Sequence, residues 1–197
     1  MTRQDDARPD PVGATPDDQP AAPAEPRRVA FFVVVAVAVF GLDLLSKVLV
    51  AANLPLGHDP VRLLGGALYL NQMRNSGAAF SLGTGFTVIL TVVALAVVVV
   101  IVRTAARMHS TRWAIALGLI LGGALGNLVD RIFRSPGFLR GHVVDWISVF
   151  GKYDDKWPIF NIADSGIVCG AILAGLLAVI GVEIDGRRAS AKHTRHE

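Results

Sequence analysis

The chain has 197 residues, of which 52% are hydrophobic, and its mean hydropathy is +0.50. Its net charge of +3 is too small for a general basic surface of the kind that binds nucleic acid, so nucleic acid is excluded as a partner. The five histidines are scattered, without Cys or acidic residues at metal-ligand spacing, so we expect no metal and no cofactor. The hydrophobic residues are concentrated in blocks, which indicates membrane spans rather than a soluble core.

The N-terminal segment, residues 1–26, is rich in Pro, Asp, Ala and Gln and has almost no large apolar side chains. Such a segment cannot bury enough surface to fold, and we predict a disordered cytoplasmic tail. Arg27 and Arg28 then open an apolar run that is too long for the core of a cleaved signal peptide. We therefore interpret this run as a membrane helix.

Four apolar segments have the length that a bilayer core needs, about 17–25 residues. They are approximately residues 29–52, 85–102, 113–131 and 160–184. Because a bilayer offers no water to their backbone groups, each must be a helix. The sequence predicts an all-α membrane protein in which residues 27–186 form a four-helix domain and residues 187–197 form a basic cytoplasmic tail.

Basic residues in the flanks of the spans predict the orientation. The short link between the second and third spans carries Arg103, Arg107 and Arg112, and the C-terminal tail carries Arg187, Arg188, Lys192 and Arg195. We expect both regions and the N-terminus to be cytoplasmic, so the other two loops face outside. These loops contain the β-type runs GALYL and GHVVDWISV between Gly and Pro, which predict a small sheet on the outer surface.

Two aspartates lie in apolar surroundings close to the last predicted span. Asp145 belongs to GHVVDWISVF and Asp164 to WPIFNIADSGIVCG. An acidic side chain near hydrocarbon is costly, so each is a candidate functional residue. Two such carboxylates brought together would share a proton, because adjacent like charges cannot both ionise easily. Aspartic proteases use this arrangement to activate water.

Asp164 also has a structural interpretation. Asn161 suits a helix N-cap, and Asp164 then falls at the third helical position, as in a capping box. This interpretation explains Asn161 well. It does not explain why Asp145 and other polar residues are expected at the same depth.

Further polar residues fall near the outer ends of the predicted helices. Asp43 and Lys47 have the i, i+4 spacing of a pair on one helical face. In the third span Asn127, Asp130 and Arg131 follow at i, i+3 and i+4 and should project together. The side chain of Arg131 could orient a carboxylate, bind a backbone carbonyl or serve as an interfacial anchor.

Small residues mark two places of close approach. Gly118, Gly122 and Gly126 form a stripe on the third span that lets a neighbouring helix pack closely. Asn75 stands in RNSGAAFSLG just before the second span and could cap that helix. Gly77 leaves room there for another backbone to pass.

Taken in order, the stretches FGLDLLSK, RNSGAAFSL, GGALGNLVDR, GHVVDW and FNIADSGI resemble the signature blocks of the lipoprotein signal peptidase (signal peptidase II) family. The resemblance covers about residues 29–184 and excludes both tails. It implies a bacterial membrane aspartic endopeptidase that cuts prolipoproteins just before a diacylglyceryl-modified cysteine. It also implies a small outer β-cradle and a short outer helix over the groove.

Residue by residue, the resemblance implies that Asp145 and Asp164 are the catalytic pair. Supporting or substrate-binding positions match Asn75, Asn127, Arg131, Asn161, Asp43, Lys47, Gly77 and Asp130. The active site is expected near the outer face of the cytoplasmic membrane, in a monomer that contacts membrane lipids. Three features depart from the family: RSPGF (134–138) lengthens the link before Asp145, Trp146 stands where Phe is usual, and the acidic N-terminal tail is extra.

Two other functions compete with a peptidase. A proton-coupled carrier could use Asp43, Lys47 and the two acids as a relay, but carriers place their site near the midplane, often between internal repeats, and we find no repeat. A non-catalytic assembly factor held together by its glycine stripe would tolerate Ala at Asp145.

Overall fold

The structure is a computed structural model, and it describes residues 28–77, 85–153 and 156–186. Its elements, in chain order, are α1 (Val29–Asn53), β1 (Val61–Leu63), a 3₁₀ turn (Leu64–Gly66), β2 (Leu68–Asn75), α2 (Gly85–Ala105), α3 (Thr111–Phe133), β3 (Val143–Val149) and α4 (Ile162–Val179). The tails predicted at 1–26 and 187–197 lie outside the described residues.

Four helices in the described ranges are long and apolar enough to cross a membrane, so the predicted fold class is confirmed. The last helix is shorter than the expected 160–184. Asn161 caps its first turn, and Gly181, at a φ of +70°, lies just beyond its last turn. The N–H groups of Gly181 and Val182 donate to carbonyls of that turn, which satisfies the helix end.

The third helix is the most buried of the four and lies at the centre of the bundle. The glycine stripe explains its position, because a Cβ added to Gly118 would lie 2.9 Å from Val35 of α1. On α4, a Cβ added to Gly170 would lie 2.6 Å from the carbonyl oxygen of Ala116. The predicted packing role of the stripe is confirmed, and small residues set the close approach of α1 and α4 to α3.

The three strands form one antiparallel sheet in the order β1-β2-β3. Both predicted strand segments are confirmed, and β2 extends beyond GALYL as far as Asn75. Met73 pairs with Asp145, and Asn75 pairs with Val143. This register holds the end of β2 against Asp145.

Backbone hydrogen bonds show which elements lie at each end of the bundle. At one end Arg28 N donates to Met108 O at 3.1 Å, and Ser110 N donates to Ile184 O at 3.1 Å. The start of α1, the α2–α3 link and the segment after α4 therefore meet there. The sheet and the first turn of α4 lie at the other end.

Candidate active site

Asp145 lies on β3, where this strand meets the membrane helices, and two amide side chains from other elements hold its carboxylate. Its side chain is 1% exposed. Its Oδ2 accepts a hydrogen bond from Asn75 Nδ2 at 2.8 Å, and its Oδ1 accepts one from Asn161 Nδ2 at 2.7 Å. Both carboxylate oxygens are thus fixed by donors from two different elements, β2 and the start of α4.

Asp164 lies in the first turn of α4, and the predicted capping box is confirmed. Asp164 N donates to Asn161 Oδ1 at 2.9 Å, and Asn161 N donates back to Asp164 Oδ2 at 3.2 Å. The other carboxylate oxygen, Oδ1, accepts a hydrogen bond from Asn127 Nδ2 of α3 at 2.7 Å. Asp164 therefore does more than cap its helix, because it also contacts α3.

Asn161 connects the two acids. Its Oδ1 caps the turn that carries Asp164, while its Nδ2 donates to Asp145 and, at 3.1 Å, to Asn127 Oδ1. It is fully buried, as suits an amide with so many partners. The structure thus brings Asp145, Asp164 and three predicted amides, including Asn75, into one hydrogen-bonded group.

The environment of Asp145 favours its protonated form. Its pKa is raised from 3.8 to about 7, chiefly by burial and then by the nearby charge of Asp164. The hydrogen bonds from Asn75 and Asn161 and the charge of Lys47 oppose this rise. Asp145 therefore lies beside a second carboxylate, and the charge of that carboxylate contributes to the raised pKa of Asp145.

Lys47 is fully buried below the two acids. Its Nζ lies 2.7 Å from Asp43 Oδ2, which confirms the predicted pair, and 3.0 Å from Asp130 Oδ2. It also donates to Asn127 Oδ1 at 3.0 Å. The i, i+4 spacing revealed only the partner on its own helix, because the other two contacts come from α3.

The two acids bound to Lys47 also hold backbone groups of neighbouring elements. Asp43 Oδ1 accepts from Ala163 N at 2.9 Å, in the first turn of α4. Asp130 Oδ2 accepts from Val144 N of β3 at 3.2 Å, and Asp130 Oδ1 forms an ion pair with Arg134. Sequence reasoning missed Arg134, although its i, i+4 spacing from Asp130 is a usable signal.

The charge of Arg131 interacts with those of Asp145, Asp164 and Asp130, so this residue projects toward the same polar group. Its guanidinium lies beside Gly77, where an added Cβ would be 3.7 Å from Nη1. This Nη1 is buried and has no hydrogen-bond partner within the described ranges. Within the described ranges Arg131 forms no ion pair with either acid, and its interaction with both carboxylates is one of charge.

The expectations for Asn75 and Gly77 need correction. Asn75 ends β2 and does not cap α2, which begins at Gly85; its Oδ1 instead accepts from Gly77 N at 2.7 Å. Gly77, at a φ of +84°, has the side chains of Leu90 and Arg131 as close neighbours, not another backbone. A left-handed turn requires this glycine, and the space above it is filled by side chains.

A helical membrane bundle that holds two carboxylates in one hydrogen-bonded group has the paired acids that an aspartic peptidase requires. The family described as signal peptidase (SPase) II matches residues 35–180. The chain belongs to this family, which confirms the resemblance seen in its sequence.

Individual relatives agree with this assignment. The chain is 52% identical to a lipoprotein signal peptidase of Rhodococcus jostii (strain RHA1), over 87% of this chain and 86% of that protein. It is also 52% identical to a lipoprotein signal peptidase of Streptomyces coelicolor, over 81% of this chain and 76% of that protein. A bacterial membrane enzyme solved by the in meso method at 1.9 Å superposes with a TM-score of 0.68 at 28% identity, covering 79% of this chain and 97% of that one.

Proposed function

We propose that this chain is a membrane aspartic endopeptidase that removes signal peptides from diacylglyceryl-modified prolipoproteins, cutting just before the lipid-modified cysteine. Its membership of the signal peptidase II family and its relatives named lipoprotein signal peptidase support this substrate class. The observation that carries the chemistry is the single amide of Asn161, which contacts Asp145 and caps the turn of Asp164. That contact sets two carboxylates in one buried polar group.

In the proposed mechanism Asp164 is the base and Asp145 the acid. Asp164 accepts a proton from a water that attacks the scissile carbonyl carbon, while Asp145 donates its proton to the carbonyl oxygen. The tetrahedral intermediate then collapses and the C–N bond breaks. The leaving nitrogen takes the proton held by Asp164, and one hydroxyl of the intermediate returns a proton to Asp145, which leaves a new carboxyl group and restores both acids. The raised pKa of Asp145, about 7, supports its role as the proton donor.

The remaining site residues position these groups. Asn75 and Asn161 fix the Asp145 carboxyl, and Asn127 fixes the Asp164 carboxyl. Arg131 keeps a buried Nη1 without a partner in the described part of the chain, beside Gly77. We assign this N–H to a backbone carbonyl of the bound signal peptide, because a buried donor of this kind gains a hydrogen bond on binding.

The proposed orientation places the sheet and the active site at the extracytoplasmic face and both termini in the cytoplasm. Arg103, Arg107 and Arg112 lie at the end of the bundle opposite to the sheet, as the positive-inside rule requires. The substrate then enters from the bilayer with its acyl chains in hydrocarbon, and the protein acts as a monomer in this proposal.

Cysteine labelling tests this orientation. In a Cys169→Ala background, His58→Cys lies next to the sheet and His109→Cys lies in the α2–α3 link. A membrane-impermeant maleimide added to intact cells should label the first variant and spare the second until the membrane is opened. Labelling of His109→Cys in intact cells would contradict the orientation.

The function is tested by incubating purified protein with a diacylglyceryl-modified proprotein and with its unlipidated twin. We expect cleavage of the lipidated form alone, just before the modified cysteine, as read from product masses. Asp145→Asn and Asp164→Asn should each lower the rate by about 10²–10⁴-fold, the range lost with a general acid or base. Asp59→Asn, an acid that is 86% exposed, is the matched control and should cleave normally. Normal processing by Asp164→Asn would exclude the mechanism.

The competing functions make different predictions. A carrier is not favoured, because the polar group lies at the sheet end of the bundle and not at the midplane. A non-catalytic assembly factor would keep its cellular role in Asp145→Ala, whereas the proposed peptidase would lose lipoprotein processing in this variant.

A further inference from the structure

A polar cleft that is separate from the candidate active site lies near the sheet, between the ends of two membrane helices. Its volume is about 580 Å³, within the range of about 300–1,000 Å³ that small-molecule sites occupy. Its lining includes three basic side chains, Arg74, Arg134 and His142, and the apolar side chains of Leu56, Phe133 and Pro136. Neither proposed catalytic aspartate lines it.

The cleft lies on the face of β2 opposite to the active site. Successive side chains of a strand point to opposite faces of its sheet. Asn75 directs its amide to Asp145, so its neighbour Arg74 points the other way. Arg74 pairs with Val144 of β3, which is the neighbour of Asp145 and so also points away from the active site. The two sites therefore share a strand but not a surface.

Positive charge in this cleft is only partly neutralised. Arg134 is paired with Asp130, within a group that also contains Asp43 and Lys47, so this group has two carboxylates and two cations. Arg74 forms no ion pair with any described residue. Burial, and then the neighbouring charge of Arg134, lower the pKa of Arg74, and the charge of Asp130 opposes this change only in part. The two guanidinium groups are therefore close enough to repel each other. An anion between them would relieve this repulsion.

The apolar part of the cleft lies at the ends of two helices that are long and apolar enough to cross a membrane, where we expect lipid headgroups to meet acyl chains. Leu56 follows the end of α1 by three residues, and Phe133 is the last residue of α3. Their side chains are 58% and 78% exposed. Guanidinium groups beside exposed apolar side chains at the ends of membrane helices match a phospholipid, with its phosphate on the cations and its chains on the apolar rim.

The larger cleft at the other end of the bundle lacks this charge imbalance. It has a volume of about 850 Å³ and is lined by Arg103 and Arg107, but also by Glu183 and Asp185. Its acidic and basic side chains balance, so it offers no comparable attraction for an anion.

We propose that the cleft formed by Arg74, Arg134 and His142 binds the phosphate headgroup of an anionic phospholipid. Arg74 is the principal phosphate ligand, because Arg134 is already engaged by Asp130. Phe133 and Leu56 contact the lipid next to its glycerol. This inference does not depend on the proposed catalytic mechanism.

The experiment measures lipid retention by native mass spectrometry of the purified full-length chain in detergent. Phosphatidylglycerol and phosphatidylcholine are added in equal amounts to wild type, Arg74→Gln and Arg140→Gln. Arg140 is an exposed arginine that precedes His142 by two residues and does not line the cleft, so it is the matched control. We expect wild type to favour phosphatidylglycerol by about fivefold, the factor that corresponds to one basic residue near a membrane surface. Arg74→Gln should lose this preference, and Arg140→Gln should keep it.

Additional variants and inorganic phosphate distinguish phospholipid binding from a structural role of Arg74 and from binding of a free anion. Arg74→Lys keeps the charge and should retain part of the preference, which a purely structural role of Arg74 would not predict. Melting temperatures of all variants show whether they are folded, and His142→Gln gives a second variant in which a weaker preference is expected. Equal retention of both lipids by wild type, or loss in Arg140→Gln equal to that in Arg74→Gln, would overturn the proposal. Protection against heat by millimolar inorganic phosphate without any lipid preference would assign the cleft to a free anion and overturn the lipid assignment.

Discussion

Lys47 Nζ and Asn127 Oδ1 lie 3.0 Å apart, and this contact joins the buried ion group of the membrane helices to the hydrogen bonds around the two acids. Asn127 also contacts Asp164, because its Nδ2 donates a hydrogen bond to the Asp164 carboxylate. This buried lysine therefore supports both the assembly of the helices and the position of Asp164, one of the two proposed catalytic carboxylates.

Replacement of this lysine should be strongly destabilising. Lys47→Met would leave Asp43 and Asp130 buried without their cation, and breaking a buried pair costs about 3–5 kcal/mol. The measurement is the free energy of unfolding in mixed micelles. Lys152→Met is the control, because Lys152 and Asp59 are exposed and 3.9 Å apart, and such a pair contributes about 0–1 kcal/mol. Similar losses in the two variants would contradict the structural role of Lys47.

The amide donor of Asn161 should matter separately from its capping oxygen. Asn161→Asp keeps the size of the side chain and an oxygen for the N–H of Asp164, but it replaces the donor to Asp145 with a carboxylate oxygen. We expect the cleavage rate to fall by about tenfold to a hundredfold, because a hydrogen bond to a charged group contributes about 1.5–3 kcal/mol. Asn71→Asp makes the same change on β2 away from both acids and should leave the rate intact.

The dependence of the cleavage rate on pH should show the titration of Asp145. Its pKa of about 7 predicts that kcat/KM falls as the pH rises through this value, because the proton to be donated is lost. Asn75 donates a hydrogen bond that favours the ionised form, so Asn75→Ala should raise this pKa and move the falling limb to higher pH. Asn71→Ala, on the same strand, should leave the limb in place. A shift to lower pH in Asn75→Ala would show that the limb reports another group.

Glycines of the helices should differ sharply in their tolerance of alanine. A Cβ at Gly126 would collide with the carboxylate of Asp43 and lie 3.3 Å from Ala163 Cβ, so Gly126→Ala should cost about 1–3 kcal/mol of stability. Gly175 of α4 has open space at this position. Gly175→Ala should be neutral or stabilise the protein by up to about 1 kcal/mol, because alanine is the better helix former. Unfolding in mixed micelles measures both.

Sequence reasoning succeeded where the relevant residues are close along the chain. The capping box of Asn161 and Asp164 and the pair of Asp43 and Lys47 follow from spacings of three and four residues. Membrane spans were equally accessible, because apolar length alone predicts them.

Contacts between distant elements were not accessible in this way. The bond from Val144 N to Asp130 depends on how β3 meets α3, and the side-chain direction of Arg131 depends on the turn at Gly77. The three-residue strand β1 has too few residues for an alternating pattern. Physical chemistry of the local sequence constrains none of these, and each is decided by packing.

The hydrogen bond from Ala163 N to Asp43 links the first membrane helix to the last, 120 residues further along the chain. During synthesis Asp43 enters the bilayer long before this N–H exists, with Lys47 as the partner on its own helix. Asp164 is the next residue after Ala163. The packing of α4 that gives Asp43 its hydrogen bond from Ala163 N therefore also brings Asp164 close to Asp145. A nascent chain with three inserted helices would therefore contain Asp145 without Asp164, and the proposed catalytic pair would be complete only at the final step of assembly.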